Sequence, residues 1–551
     1  MKKLGLFLVL IVILSLGMRI YAISTTDLEK RISEGKENLA RLDYTFLDKE
    51  IENLRLLEDK VKKVPLGEAT ELQAEIEKRL GEAYLKTYES LKLETRAIWI
   101  DNIYLANIKS RAEVKQTMDW LASMNFNVII PDVYNQGQSI YPSKVVPQFD
   151  SYKVFYQGDI LADMVAEAHA HGLEIHPLIV TFGLDAGFDL FIDNIDWFDK
   201  DLNGKLINTY GQAFLSPAVP QVRDRQIALI KEIAAYNVDG FQLDYIRFSQ
   251  GFGYGDYISK LFRSLYGRTP KEIGPYSPLF PRYQEFKAQF ISTFVDRAVK
   301  EVAAINPHAV VSAAVQSPYT WGFNDLGQDW KHWLDNRFIH SLMLMSYTLN
   351  ASETKTIIET DLNHSENKGL LLPGMGLYNW GGEELLKQIA TTRELPFTGQ
   401  VSFSALHLKE DMEAMLKAGP YRERSQPTLR NPQKIAADYL LDLALRIGEV
   451  GELAGLSEKT ITSWQDELQR AALNINNLNI RPFPERDLQE ANVIEYEIIK
   501  KQITKLESLR DEAKKVGKPG KRMQLEIGRT IGLLKTLKYL SAPYNYRSIK
   551  Y

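Results

Sequence analysis

The chain has 551 residues, 45% of them hydrophobic and 25% charged, with Lys+Arg 67 against Asp+Glu 71. That length exceeds a single core of ordinary size and predicts about two or three structural units. The balanced charge offers no basic surplus for nucleic acid, and the absence of Cys excludes disulfides, thiolate chemistry and a lipidated N-terminal Cys.

Met1 to Ala22 carries Lys2 and Lys3, an apolar run from Leu4 to Leu16, and Gly17. This is the layout of a secretory signal, and it predicts an extracytoplasmic body: periplasmic, cell-surface or secreted. A cut after Ala22 starts the mature chain near Ile23. Ile20 and Arg19 depart from the small-residue cleavage pattern, so an uncleaved anchor stays open, although the run is short for a spanning helix.

From residue 25 to 93 the sequence is Lys/Glu-rich with apolar residues at helical spacing, as in Phe46, Leu47, Ile51, Leu54 and Leu57. Val64-Pro65-Leu66-Gly67 divides this stretch into a helical hairpin.

Residues 94–425 alternate β-rich runs with amphipathic stretches. The predicted strands are Ala97–Asp101, Asn127–Val133, Glu174–Thr181, Gly240–Phe248, Val310–Gln316, His340–Tyr347, Leu370–Leu377 and Gln400–Ala405. Eight strands separated by helices, with no Gly-x-Gly-x-x-Gly after a strand, predict an α/β fold of the (β/α)₈ TIM-barrel type. After Pro427 the strand pattern stops, and residues 428–551 read as a C-terminal helical domain broken near Asn474–Pro484 and at Gly517-Lys518-Pro519-Gly520.

Asp43–Val64 aligned with Glu495–Val516 gives nine identities in 22 positions, among them Tyr44/Tyr496, Ile51/Ile503 and Leu54/Leu506. A break and another helix follow in both copies, which predicts a repeated helical hairpin. The two ends then pack together, bind protein partners, or form a stalk or a dimerising bundle.

Alternation along the fourth strand puts Gly240, Gln242 and Asp244 on one face, with Asp244 at the top of the barrel axis. A carboxylate there is costly to bury unless it is hydrogen-bonded or working. The run differs from the chitinase motif Asp-Gly-x-Asp-x-Asp-x-Glu, because Gln242 and Ile246 stand at its inner Asp and its Glu. Proton donation from that Glu position is therefore lost.

Several motifs in order are similar to those of the glycosyl hydrolase-like 10 family. They are Arg96-Ala97-Ile98-Trp99, Asn125-Phe126-Asn127-Val128-Ile129-Ile130-Pro131, Tyr141-Pro142-Ser143, Tyr156-Gln157-Gly158-Asp159-Ile160-Leu161-Ala162-Asp163, Ala168-His169-Ala170-His171-Gly172-Leu173 and Val238-Asp239-Gly240-Phe241-Gln242-Leu243-Asp244-Tyr245. The resemblance covers about Arg96 to Leu408. It implies a glycosidase-like barrel in an extracytoplasmic protein, some family members being reported to cut peptidoglycan strands that lack stem peptides. It also carries the fourth-strand acid onto Asp244. Family members often have a second Asp directly after it, where this chain has Tyr245.

A glycosidase needs a second acid roughly 5 to 10 Å away. Asp101 ranks first because it shares the inward face of its strand with Trp99, and Asp132 comes next; Asp325 and Asp329 follow strand five. Each has a plain alternative as a polar residue capping the barrel mouth. Predicted substrate-binding residues are Tyr134, Asn135, His176, Tyr245, Arg247, Trp321, Tyr347 and Trp380, near strand ends where rings stack on sugars or pack within loops. His176 also reads as a hydrogen-bonded interior histidine. His169, His171 and His176 lack metal-ligand spacing, so neither metal nor cofactor is expected. The predicted function is cleavage of a bacterial envelope polysaccharide. The alternative is a silent glycan-binding barrel serving as a scaffold through its helical ends, and a metal-dependent deacetylase is third.

Overall fold

Eight parallel strands close on themselves. The computed structural model describes residues 23–478 and 492–541, so the candidate signal at residues 1–22 and part of the Asn474–Pro484 break lie outside the described residues. The strands are β1 (Thr95–Ile100), β2 (Val128–Asn135), β3 (Glu174–Ile175 continued by Leu178–Val180) and β4 (Gly240–Asp244). They continue as β5 (Val310–Gln316), β6 (Ser341–Met345), β7 (Leu370–Gly376) and β8 (Gly399–Phe403). Each pairs in parallel with the next, and β1 pairs with both β2 and β8, which makes a barrel.

The register explains the strand limits. Strand β5 spans the predicted residues, whereas β4 ends at Asp244, four residues short of the expected Phe248. Tyr245 takes φ 47, a left-handed turn that takes the chain out of the sheet immediately after the carboxylate. Strand β2 runs on to Asn135 with a register shift against β3 between Asp132 and Tyr134.

Helices α4 (Arg111–Ser123), α5 (Ile160–Ala170), α6 (Pro220–Ala234), α7 (Phe280–Ile305), α8 (Trp330–Asp335), α9 (Ala351–Ser365) and α10 (Gly382–Arg393) lie between the strands. Their apolar stripes bury against the outer strand faces, as with Ile291, Phe294, Val295, Ala298 and Val302 of α7. The caps are local: Ser110 accepts from Glu113 N at the start of α4, and Asp159 accepts from Leu161 N and Ala162 N at α5.

The barrel interior is a packed core rather than a pore. Trp99 Nε1 donates to Gln242 Oε1 at 2.5 Å, and Gln242 Nε2 reaches Ser312 Oγ at 3.3 Å and Met343 Sδ at 2.7 Å. This network joins β1, β4, β5 and β6 directly beneath Asp244. Lower down, a Cβ at Gly240 would lie 2.2 Å from His176 Nδ1. Gly240→Ala is therefore expected to cost about 3 kcal/mol by overpacking, read as a lowered urea midpoint, with His176→Ala in the same chain restoring part of it. An unchanged midpoint in the single variant would refute this packing.

The helical ends form a base. The N-terminal helices are α1 (Thr25–Glu37), α2 (Tyr44–Val61) and α3 (Leu66–Lys86); the C-terminal ones are α11 (Pro432–Val450), α12 (Glu458–Asn476), α13 (Asn492–Ala513) and α14 (Gly517–Ser541). Hairpins α2/α3 and α13/α14 match the repeat: Leu47/Ile499, Ile51/Ile503 and Leu54/Leu506 are buried at both places. The ends pack together rather than projecting as a stalk. Arg41 pairs with Asp442 at 2.6 Å and Glu449 at 2.8 Å, and Lys518 pairs with Glu37 at 2.5 Å. The C-terminal segment also grips the N-terminal end of the barrel, where Tyr439 Oη of α11 donates to Leu93 O and Arg430, just before α11, meets Asp239. No helix among the described residues is long and apolar enough to cross a membrane.

Candidate active site

All strand C-termini converge on one mouth, above the Gln242 network. Asp244 stands there half-buried at the end of β4, its Oδ1 accepting from Tyr245 N at 2.6 Å. Burial pushes its pKa up from 3.8 to about 6, against the opposing pull of the Tyr245 N–H and the Arg247 charge. A proton affinity raised by desolvation at the open end of a barrel is a mark of a working carboxyl.

Tyr245 turns its ring toward Phe214, with centroids 5.9 Å apart, and the Arg247 guanidinium lies 4.6 Å from the Tyr245 ring centre and 5.4 Å from that of Phe214. Space for Tyr245 depends on Gly183, where a Cβ would meet the ring at 2.8 Å. Opposite, Tyr347 packs edge-on to Trp99 at 6.4 Å and lies 5.5 Å from Phe403 and 6.1 Å from Tyr378. Burial, then the Asp244 charge, drives the Tyr347 hydroxyl well above its usual range, which places that ring close to the carboxylate.

The aromatic wall continues outward. Tyr378 is 44% exposed and sits 5.5 Å from the His407 ring, itself stacked at 6.2 Å on Phe403. Leu349 and Leu406 are also exposed. Such a surface offers apolar faces with polar rims, the form that sugar rings require.

Of the predicted residues, Asp244, Tyr245, Arg247 and Tyr347 come together in this mouth. Asp101, at the end of β1, caps the short helix Asn102–Leu105: Oδ1 accepts from Ile103 N at 3.1 Å and Tyr104 N at 3.0 Å, and Oδ2 accepts from Ser404 Oγ. Asp132 is buried and takes a 2.8 Å hydrogen bond from Asn135 Nδ2, so Asn135 is a buried neighbour of Asp132 rather than an exposed sugar contact. Asp329 caps α8 and accepts from Tyr319 Oη at 2.8 Å, while Asp325 lies near Lys287.

Three predicted contacts lie elsewhere. Tyr134 is buried outside the barrel, its hydroxyl accepting from Arg225 Nη1 of α6 at 2.7 Å, because the β2 register shift turns it outward. His176 is fully buried beneath Gly240, in the lower barrel and out of reach of the mouth. Trp380 is buried with Nε1 donating to Thr348 O at 2.9 Å. Trp321 remains 38% exposed on the helix Tyr319–Leu326 after β5.

The sequence reading missed Tyr378, Phe403, His407 and Phe214. Tyr378 had a visible signal, since it lies two residues before Trp380 and just past β7. A buried acid and base were also missed: burial drives Asp199 up to about 7 and Lys287 down to about 8 beneath the loop after β4. Among the described residues, no group of three His, Asp or Glu side chains is placed to hold a metal ion. A separate cavity of about 740 Å³ lies at the barrel's N-terminal end between Val310, His340, Leu370, Leu429 and Pro432, remote from Asp244.

A closed parallel barrel with an acid and an aromatic wall at its C-terminal mouth defines a glycosidase-like (β/α)₈ protein. The chain belongs to the glycosyl hydrolase-like 10 family, whose model matches residues 94–369. The PgaB (BpsB) glycoside hydrolase domain from Bordetella bronchiseptica is similar in structure, at 12% identity and TM-score 0.46, over 59% of this chain and 98% of that one. The β-amylase catalytic domain from Paenibacillus polymyxa gives 15% identity and TM-score 0.43 over 60% of this chain and 96% of that one. β-Galactosidase from the psychrophilic Marinomonas ef1 gives 12% and 0.46 over 68% and 65%. Comparison with curated proteins gives no match.

Proposed function

We propose that this is an exported glycoside hydrolase acting on a bacterial envelope polysaccharide, with peptidoglycan-type glycan strands as the first candidate. The observation that carries the reading is Asp244, half-buried at the end of β4 with its pKa raised to about 6 and faced by the Tyr347 wall. At neutral pH its carboxylate is ionised and stabilises the oxocarbenium-like transition state, as nucleophile or as fixed charge. Tyr245, Tyr347 and Tyr378 form the walls of the sugar cleft, Trp321 offers a further exposed ring on the helix after β5, and Arg247 orients the loop or a sugar hydroxyl. The helical segments 25–93 and 428–551 serve as a scaffold that supports the base of the barrel.

The test is release of reducing ends from glycan strands lacking stem peptides and from a panel of other envelope polysaccharides. Cleavage is expected with kcat/KM rising through about pH 6, as Asp244 loses its proton. A profile flat across that interval would remove Asp244 from the chemistry. Binding without new reducing ends anywhere in the panel would identify a silent glycan-binding barrel.

A further inference from the structure

We propose that His407 is the proton-transferring partner of Asp244, held in one tautomer by a serine-bridged link to Asp101. This rests on the glycosidase reading above and supplies the second group that reading needs. The link spans the barrel seam between β8 and β1. Ser404, directly after β8, donates its hydroxyl hydrogen to Asp101 Oδ2, and its oxygen lies 3.1 Å from His407 Nδ1.

The proton count fixes the direction. Asp101 accepts two backbone N–H bonds through Oδ1, so Oδ2 is the oxygen left to take the Ser404 hydroxyl hydrogen. Ser404 has one hydrogen, and that hydrogen points to the carboxylate. His407 Nδ1 must therefore be the donor to Ser404 Oγ, so Nε2 is left as the exchangeable nitrogen. The ring keeps partial exposure while stacked on Phe403 and edge-on to Tyr378, on the wall that begins at Tyr347 beside Asp244.

The same geometry explains why Asp101 suits positioning better than proton donation. Its two oxygens are occupied by three donors, whereas an acid catalyst must present a proton to the leaving oxygen. In the proposed step the imidazolium gives its Nε2 proton to the glycosidic oxygen as the bond from the anomeric carbon to that oxygen breaks. The bonding electron pair leaves with the alcohol. Asp244 faces the developing positive charge, water then adds to the anomeric carbon, and the proton it releases returns to Nε2. The balance is one glycosidic bond and one water consumed, with two hydroxyls formed.

The experiment uses the full chain with two substrates: glycan strands lacking stem peptides, and para-nitrophenyl chitotrioside, whose leaving group departs without a proton. His407→Gln is expected to lower kcat/KM on the glycan at least about a hundredfold and to lower it far less on the nitrophenyl substrate. Ser404→Ala should act in the same direction and more weakly.

Imidazole nitrogen NMR gives a readout independent of turnover. The unaltered chain is expected to show the Nδ1–H tautomer at His407, and Ser404→Ala to release it to a mixture. Equal loss on both substrates, or an Nε2–H tautomer, would overturn the assignment. If the unaltered chain cuts glycan and His407→Gln cuts it equally well, His407 falls while the Asp244 reading stands. No cleavage by the unaltered chain overturns both.

Discussion

Asp244→Asn is expected to abolish glycan cleavage and, in the same protein, to raise the melting temperature. The two effects share one cause. Burial raises the Asp244 pKa from 3.8 to about 6, so the folded chain holds this proton more tightly than the unfolded chain does. An acid shifted upward in the folded state costs stability as pH rises from the unfolded value to the folded one, and the full cost persists above it. Here that window runs from 3.8 to about 6, and the cost at neutral pH is on the order of 1–3 kcal/mol. Asn keeps an acceptor for Tyr245 N and removes the charge. Its gain should appear at neutral pH and vanish below 3.8, while kcat/KM falls at least about a hundredfold. Thermal unfolding across that range, paired with a reducing-end assay, reads both. Full activity, or a neutral-pH melting point below that of the unaltered chain, would contradict the assignment of Asp244 as a working carboxylate.

The Asp244 position was readable because it depends on local regularity. Inward alternation from Gly240 through Gln242 survives to the end of β4, and the structure places all three on the axis. The errors fall where alternation ends. At Tyr134 a register shift inverts the count, and at Trp380 the turn Leu377–Asn379 rotates the indole toward Thr348 O while Tyr378 takes the mouth. Each event has a breaker beside it, Pro131 before Asp132 and Gly381-Gly382 after Trp380, but such a marker gives the place of a break and not the direction in which it turns the next side chain. Ser404 and His407 were illegible for a different reason: their meaning depends on Asp101, separated from Ser404 by 303 positions and brought beside it only by closure of β8 on β1. The repeat was legible because helical burial recurs at a fixed offset, so Ile51 and Ile503 are buried alike. What it builds, a clamp under the barrel, was one of several readings until the ion pairs at Arg41 and Lys518 were seen.

Arg529→Met is expected to loosen that clamp. The Arg529 side chain is buried on α14, and its guanidinium donates from Nε to Phe397 O at 2.9 Å, from Nη2 to Arg393 O at 3.0 Å and from Nη1 to Glu526 Oε2 at 2.8 Å. Phe397 leads into β8, and Arg393 ends α10 while clasping Glu94 at 2.7 Å beside β1. One side chain thus joins the last helix to the barrel seam that also carries Ser404 and Asp101. Removing it strands two carbonyls and leaves Glu526 with fewer charges to offset its burial, at a cost of about 3–5 kcal/mol. Acid should act on the same joint. Burial alone would raise Glu89 and Glu526, but Arg446 and Arg522 outweigh it and hold Glu89 at about 2, while Arg529 leads in holding Glu526 low. A carboxylate depressed in the folded state contributes stability that is whole above its unfolded pKa, here 4.5, and is lost as pH falls toward the folded value. The unaltered chain should therefore loosen its helical base between pH 4.5 and about 2. The Arg529→Met chain should reach the same degree of loosening at higher pH, because it enters the titration with less stability to lose. Hydrogen exchange along α11 and α14 during acid titration resolves this from barrel unfolding. Identical exchange in the two chains would show that the base is held by apolar packing alone.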